Sequence, residues 1–147
     1  RPHRPDNERN FTAMTQQTPI VLGIASNTED RSYQMEKATE ALCRLFQQVN
    51  VSSVYETEAV NGDGTKYCNA VMSGLTRMGE EDTVAKLKEL EKEAGRTQTG
   101  TFEGKVPLDL DLVIWNGRII RERDFEQRYF NIGYRELLAS GAFQYSV

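Results

Sequence analysis

Residues 108–115 read LDLDLVIW, and their alternation is the clearest structural signal in the chain. Successive side chains of a β-strand point to opposite faces of a sheet, so alternating apolar and polar residues are typical of a strand that is covered on one side. The apolar residues project to one face: Leu108, Leu110, Leu112 and Ile114. The pattern predicts a strand that presents Asp109 and Asp111 together on the other face.

Hydrophobic periodicity divides the preceding chain into five further segments. Residues 20–25 are short, apolar and β-branched, which indicates a first strand. Apolar residues recur at helical steps over residues 32–49 and again over residues 84–94, where Gly95 is expected to end the helix. Between these helices, two strand-like segments flank the turn sequence NGDG, at residues 51–58 and 67–76.

The predicted order is β-α-β-β-α-β, which is that of a ferredoxin-like α+β fold. We expect an antiparallel sheet with two helices on one face and an extra C-terminal hairpin. Asn116-Gly117 is typical of the type I′ turn of such a hairpin. Residues 134–139 are predicted to form a short helix. The second face of the sheet is expected to be open and to carry a site.

The length of 147 residues fits one domain. The first thirteen residues contain three arginines, two prolines and no hydrophobic run, and Met14 offers a natural start just after them. We interpret residues 1–17 as a disordered leader and residues 18–147 as a single domain. No apolar stretch approaches the ~20 residues of a membrane-spanning helix, so no membrane association is expected.

Charge and residue usage narrow the chemistry. The net charge is −4, and an acidic domain is a poor general binder of nucleic acid because phosphate neutralisation supplies most of that affinity. Cys43 and Cys68 form no CxxC pair, which favours a reduced, cytoplasmic compartment with both thiols buried. The single histidine, His3, lies in the leader, so chemistry in the domain rests on carboxylates, Lys, Tyr, Arg and a bound metal.

Asp109 and Asp111 are the leading candidates for that chemistry. Residues i and i+2 of a strand lie about 7 Å apart on one face, and two carboxylates so placed suit one or two Mg²⁺ ions that also hold nucleotide phosphates. The alternative is a solvated pair on an exposed strand. Basic residues available to balance triphosphate charge are Arg96, Lys105, Arg118, Arg121, Arg123, Arg128 and Arg135. Neither GxxxxGK[ST] nor GxGxxG occurs, which argues against a P-loop or Rossmann enzyme.

These residues give the chain a resemblance to the hydroxymethyldihydropterin pyrophosphokinase family of folate synthesis. The resemblance runs from about residue 20 to residue 138 and is carried by Ala25-Ser26-Asn27, SSVY at 52–55, YCNA at 67–70, Glu91 with Gly95-Arg96, and LDLD at 108–111. It implies the same fold and a Mg²⁺-dependent transfer of pyrophosphate from ATP to the hydroxymethyl group of a reduced pterin, with release of AMP.

The resemblance also implies roles for individual residues. The implied catalytic residues are Arg96, Asp109 and Asp111, of which the two aspartates would be the magnesium ligands. The implied pterin contacts are Thr57, Tyr67, Asn69 and Leu137, the last standing where the family has a stacking aromatic ring. The implied nucleotide contacts are Glu91, Arg96 and Arg135.

The chain departs from the family pattern in the loop before LDLD and after the hairpin. Where the family has arginines and a tryptophan in that loop, this chain has Gln98, Phe102, Glu103 and Val106. A Pro-His-Tyr segment of the family corresponds to Arg128-Tyr129-Phe130, so a ligand-contacting histidine is replaced by Tyr129. Bidentate guanidinium contacts to phosphate are not reproduced by Val or Gln.

Two hypotheses therefore stand side by side. One is a divergent pyrophosphokinase acting on ATP and a pterin-like molecule. The other is a degenerate, non-catalytic domain that binds a nucleotide or small molecule, since one fold serves many functions. Binding of single-stranded RNA on the open sheet face is a weaker third, because the acidic balance opposes it. The sequence leaves the oligomeric state open.

Overall fold

A computed structural model describes residues 16–96 and 105–143. Nearly all of the predicted leader lies outside these ranges. So do the side chain of Arg96 and residues 97–104, including Gln98, Phe102 and Glu103, at which the resemblance led us to expect a departure from the family pattern.

The described residues form one antiparallel sheet with accompanying helices. The strands are β1 (Thr18–Ser26), β2 (Gln47–Val51), β3 (Tyr55–Glu58), β4 (Lys66–Thr76), β5 (Asp109–Trp115) and β6 (Arg118–Ile119). The helices are α1 (Arg31–Leu45), α2 (Glu80–Arg96), α3 (Glu122–Phe125) and α4 (Arg128–Ser140). The strand order is β2-β4-β1-β5-β6, with β3 also paired to β4. The predicted ferredoxin-like α+β fold is confirmed.

One face of the sheet packs against α1 and α2. The larger core lies there and contains alternate residues of the three central strands, including Leu22 and Met72, with Leu42 of α1 and Leu87 of α2. Leu108, Leu110 and Leu112 join this core, as predicted. Full burial of such a side chain stabilises the fold by about 1.5–3 kcal/mol. The leucines therefore fix β5 with its aspartates turned to the opposite face.

Helix α4 covers part of the second face, so the prediction of a fully open surface is wrong. Phe130 and Leu137 of α4 form a smaller core with three valines of the sheet, Val21, Val71 and Val113. The predicted helix at residues 134–139 is the second half of this longer element. The second face is thus divided into a half beneath α4 and a half that borders a cavity.

A close approach at Gly133 holds α4 on the sheet. A Cβ at this position would lie 2.7 Å from Val71 Cγ2 and 2.9 Å from Ser52 Oγ, so a larger residue does not fit without movement. Tyr55 fixes the same turn of the helix, because its hydroxyl donates to Tyr129 O at 2.6 Å and accepts from Gly133 N at 3.0 Å. Burial raises the pKa of the Tyr55 phenol to about 12, which keeps that proton in place.

Three segment boundaries differ from the sequence-based expectation. The first helix ends at Leu45 because Phe46 is extended. Gln48, with φ of 51°, lies inside β2, where the pairing with β4 shifts register between Gln47 and Asn50. The single strand predicted at residues 51–58 is interrupted between β2 and β3, which both pair with β4. Helix α2 continues through Gly95 to Arg96, so the predicted stop at Gly95 is wrong.

The end of β5 departs from the predicted alternation of side chains between the two sheet faces, whereas the type I′ turn predicted after it is confirmed. The pairing of β1 with β5 shifts register between Val21 and Leu22, and this bulge lets Ile114 join the smaller core instead of continuing the leucine side. Asn116 and Gly117 have φ of 51° and 80°. Positive φ at both central positions is the signature of a type I′ turn.

The cysteines correct one further expectation. Cys68 is buried, as predicted, but Cys43 is exposed on α1. Over residues 16–96 and 105–143, no helix combines the length and the apolar character that a bilayer crossing requires.

Candidate functional site

A cavity of about 480 Å³ opens on the second face of the sheet beside α4. Residues of β1 and β5 form its floor, and the hairpin of β3 and β4 forms one wall. The residues around α3 and the first turn of α4 form the opposite wall. Cavities of this size are typical of small-molecule sites.

Asp109 and Asp111 face this cavity together, as predicted from the strand period. In the ladder Asp111 pairs with Gly23 and Asp109 pairs with Ala25. Small residues on β1 therefore leave space above the sheet at the carboxylates. A Cβ on Gly23 would lie 3.4 Å from the ring of Phe130, which is ordinary van der Waals contact, so Phe130 of α4 lies directly over this position.

The two carboxylates are electrostatically unfavourable in their present surroundings. Burial is the main cause that raises the pKa of Asp111 to about 6, and the neighbouring Asp109 raises it further, while Arg121 opposes the shift. Burial also raises the pKa of Asp109, with a further contribution from Glu91. A divalent cation held by these carboxylates would relieve both effects, since it favours their charged form.

The donor set fits magnesium in the presence of phosphate. Among the described residues, no three His, Cys, Asp or Glu side chains are grouped as a complete metal cage. Mg²⁺ is commonly held by one or two carboxylates, with water and substrate phosphates completing its octahedral shell. Asp109 and Asp111 match that partial set, whereas a metal held by the protein alone would need more ligands.

The wall opposite the aspartates is a fixed polar surface. Asn69 is 2% exposed, and its amide nitrogen donates to Thr57 Oγ1 at 2.8 Å, Tyr55 O at 3.2 Å and Tyr67 O at 3.3 Å. These bonds hold the amide in one orientation beside the cavity, which Thr57 and Tyr67 also line. The structure therefore gathers three of the four predicted pterin contacts at one wall.

Leu137, the fourth of these residues, lies elsewhere. It is 3% exposed in the smaller core and does not line the cavity. Arg135 is exposed on α4 and is likewise not among the lining residues. Glu91 accepts a hydrogen bond from Leu110 N at 2.7 Å, which satisfies the backbone at the open edge of β5 close to Asp109. The side chain of Arg96 lies outside the described part of the chain.

One polar chain at the cavity was not recognised from the sequence. The hydroxyl of Tyr129 donates to Asp124 Oδ1, and Arg121 Nε donates to Asp124 Oδ2. Arg121 Nη2 then lies 3.6 Å from Asp111 Oδ1. The i, i+3 spacing of Arg121 and Asp124 was the available signal, since such pairs meet on one face of a helical turn. Burial and the Asp124 carboxylate both raise the pKa of Tyr129.

The fold and this cavity define a ferredoxin-like α+β domain that presents an acidic pair and a polar wall to a small-molecule site. Comparison with known proteins makes the assignment specific. The family model described as 7,8-dihydro-6-hydroxymethylpterin-pyrophosphokinase matches residues 21–137. The chain belongs to this family, which confirms the resemblance found from the motifs.

Curated relatives agree with the family match. A folate synthesis bifunctional protein of Arabidopsis thaliana is 34% identical over 113 residues, covering 71% of this chain and 22% of the relative. A 2-amino-4-hydroxy-6-hydroxymethyldihydropteridine pyrophosphokinase of Aquifex aeolicus is 29% identical over 105 residues, covering 71% of this chain and 65% of the relative. A mitochondrial folate synthesis bifunctional protein of Pisum sativum is 30% identical, with 69% and 20% covered. The chain spans less than two thirds of the length of each of these relatives.

Proposed function

We propose that this chain is a Mg²⁺-dependent pyrophosphokinase that transfers pyrophosphate from ATP to the hydroxymethyl group of 6-hydroxymethyl-7,8-dihydropterin. One observation carries the proposal. In a member of this family, the acidic pair Asp109 and Asp111 lies across a single cavity from the polar wall of Thr57, Tyr67 and Asn69. A charged phosphate end and a hydrogen-bonding heterocycle end are thereby available in one site.

The reaction requires little covalent chemistry from the protein. The hydroxyl oxygen of the pterin forms a bond to the β-phosphorus of ATP, and the bond from that phosphorus to the oxygen bridging the α-phosphorus breaks. AMP leaves with that oxygen, and the hydroxyl proton is released. Catalysis of such transfers rests on positioning and on stabilising negative charge.

The residues of the chain divide this work between the two ends of the cavity. Asp109 and Asp111 would hold the magnesium, which when bound neutralises phosphate charge. The Asn69 amide, fixed by its bond to Thr57, orients the pterin ring, and Tyr67 contacts it. A ligand fixed at both ends places its hydroxyl next to the polyphosphate, and this proximity accounts for a large part of the rate enhancement in group-transfer reactions.

The nucleotide contacts are proposed on the family pattern. Glu91 lies at the edge of β5 next to Asp109, which is compatible with a nucleotide bound beyond the metal pair. Arg96 and Arg135 stay proposals of the same kind. Leu137 would reach a pterin only if α4 moved, because its side chain is buried against the sheet. A cytoplasmic location also stays a prediction, and some of the relatives are named as mitochondrial.

One observation favours the second candidate, a non-catalytic binding domain. Among the cavity-lining residues that the structure describes, four are carboxylates and one is a cation, Arg121. Phosphoryl and pyrophosphoryl transfer depends on cationic groups around the transferred phosphates, so a site with few of them binds its ligands better than it turns them over.

The deciding experiment measures binding and turnover on the same protein. AMP formation is followed with ATP, hydroxymethyldihydropterin and Mg²⁺, and calorimetry is run with α,β-methylene-ATP with and without Mg²⁺. We expect AMP formation that needs both pterin and metal and is abolished in Asp109→Ala. The control Asp82→Asn changes an exposed aspartate at the start of α2 and should leave turnover unchanged.

Each result separates the candidates. Metal-dependent binding of the analogue without AMP formation would establish the binding domain instead of the enzyme. Absence of both would remove the enzyme and a nucleotide-binding domain together.

A further inference from the structure

We propose that Arg121, held in place by Asp124 and Tyr129, is the guanidinium that binds the polyphosphate of the nucleotide next to Asp111. The inference rests on the proposed function for the identity of the nucleotide, and on the geometry of the cavity for the role of the arginine. It assigns a phosphate contact to the segment between β6 and α4, where the family resemblance gave none.

The charge of the cavity calls for such a group. Its described lining contains the carboxylates of Glu58, Asp109, Asp111 and Asp124, against the single guanidinium of Arg121. A polyphosphate entering this cavity meets repulsion from every carboxylate that a metal does not neutralise. Arg121 is the group within the described lining that attracts it directly.

The geometry leaves the outer edge of the guanidinium available. Arg121 uses Nε for its bond to Asp124, whereas Nη2 makes only a long ion pair with Asp111 Oδ1 at 3.6 Å, beyond the usual hydrogen-bond distance. The side chain is 50% exposed, so a ligand in the cavity can reach it. A planar guanidinium fixed through Nε can present its two terminal nitrogens to phosphate oxygens as a bidentate pair.

Asp124 is a positioning residue in this arrangement. Its carboxylate is 14% exposed and is bound on one oxygen by Arg121 and on the other by Tyr129. Tyr129 is itself anchored, because its carbonyl oxygen accepts the 2.6 Å hydrogen bond from Tyr55 on β3. The arginine is therefore connected to the sheet through a continuous series of hydrogen bonds. Such preorganisation reduces the entropy that is lost when the phosphate binds.

The test uses the whole chain and inorganic tripolyphosphate with Mg²⁺ as the probe, measured by calorimetry. Loss of a charge-assisted contact worth about 1.5–3 kcal/mol predicts that Arg121→Ala weakens binding about 10- to 100-fold. Arg121→Lys should recover part of the loss, because it keeps the charge without the fork. The matched control Arg118→Ala removes an exposed arginine of β6 that does not line the cavity, and it should bind like the wild type.

The positioning role is tested by a double-mutant cycle. Tyr129→Phe should weaken tripolyphosphate binding about threefold to tenfold in the wild-type background, since Asp124 loses one of its two partners. The same substitution should have no further effect in the Arg121→Ala background. An equal loss in both backgrounds would show that Tyr129 acts on the ligand directly or on the fold, and not through Arg121.

The outcomes distinguish this inference from the proposed function. Wild-type affinity in Arg121→Ala, with AMP formation intact, would overturn the role of Arg121 and leave the enzyme in place. Arginine-dependent binding of tripolyphosphate without AMP formation would uphold the role of Arg121 and remove the enzyme. If Arg121→Ala fails to fold by circular dichroism, the comparison of Arg121→Lys with the wild type decides, and equal affinities there would refute the bidentate contact.

Discussion

Replacing Asp111 with asparagine is expected to stabilise the metal-free protein at neutral pH while it weakens Mg²⁺-dependent nucleotide binding. The pKa of Asp111 is raised from its usual 3.8 to about 6 in the folded protein, chiefly by burial. The folded state therefore binds this proton more tightly than the unfolded chain does. The contribution of this bound proton to the free energy of unfolding is fully present below pH 3.8 and is lost as the pH rises through about 6. Above that pH the ionised carboxylate destabilises the fold.

The size of the effect follows from the same shift. A pKa difference of about 2 corresponds to about 3 kcal/mol if it is expressed in full. The Asp111 side chain is 25% exposed, and solvent screening reduces the effective value. We therefore expect Asp111→Asn to raise the free energy of unfolding by about 1–2 kcal/mol at pH 8. For a chain of this length that is a rise in Tm of about 3–6 °C.

Urea denaturation in EDTA, repeated between pH 4 and pH 8, measures this directly. The difference between Asp111→Asn and the wild type should be near zero at pH 4 and should grow as the pH rises. Asp63→Asn serves as a control of opposite sign, because hydrogen bonds from Thr65 lower the pKa of that exposed carboxyl. A variant no more stable than the wild type at pH 8, or a difference independent of pH, would refute the reasoning.

Two further substitutions test how α4 is attached. Gly133→Ala places a Cβ 2.7 Å from Val71 Cγ2 and should lower the free energy of unfolding, measured in urea, by about 1–3 kcal/mol. The control Gly95→Ala has open space around its Cβ and should not destabilise the protein. Equal stability of the two variants would show that the contact at Gly133 is not tight. Tyr55→Phe removes the hydroxyl that bridges two backbone groups of α4 and should lower the free energy of unfolding, derived from thermal denaturation, by about 1–2 kcal/mol. The control Tyr33→Phe changes an exposed ring and should leave the stability unchanged. An unchanged stability in Tyr55→Phe would contradict the anchoring role of its hydroxyl.

Local patterns were sufficient to predict most of the sheet. The LDLD alternation placed Asp109 and Asp111 on one face because the strand period of two is a property of the backbone itself. The Asn116-Gly117 turn was predictable because its residue types tolerate positive φ. The interruption between β2 and β3 was not, since it depends on how both segments pair with β4, which no local signal encodes.

The helix that covers the second face of the sheet has a helical hydrophobic pattern in the sequence, but that pattern is incomplete. Phe130, Gly133 and Leu137 follow the helical spacing, yet a glycine contributes nothing to hydrophobic periodicity, so the buried face of α4 was only partly visible. The structure shows why glycine stands there, since the sheet leaves no room for a side chain. The close contact between α4 and the sheet therefore requires a glycine, and that glycine weakens the hydrophobic periodicity from which the helix would be predicted.

The candidate site also contains some residues that could be predicted from the sequence and others that could not. The acidic pair was predicted from geometry, and Thr57, Tyr67 and Asn69 came from the family resemblance. The connection from Arg121 through Asp124 to Tyr129 was not predicted as a unit, because it forms only when the segment after the hairpin folds back over the sheet. The sequence contains several basic residues, and it does not indicate which of them tertiary contacts will orient toward the cavity.

The division of the molecule into two cores has a consequence for variation in this domain. The larger core contains the leucines that turn the acidic pair toward the cavity, while the segment from Arg121 to Phe130 forms the facing wall from the other side of the sheet. Arg121 and Asp124 of that segment line the cavity and belong to neither core, so substitutions at these two positions can change what the cavity accepts without altering the packing of the larger core. Ligand preference and the packing of the larger core are thus assigned to different residues of one short polypeptide.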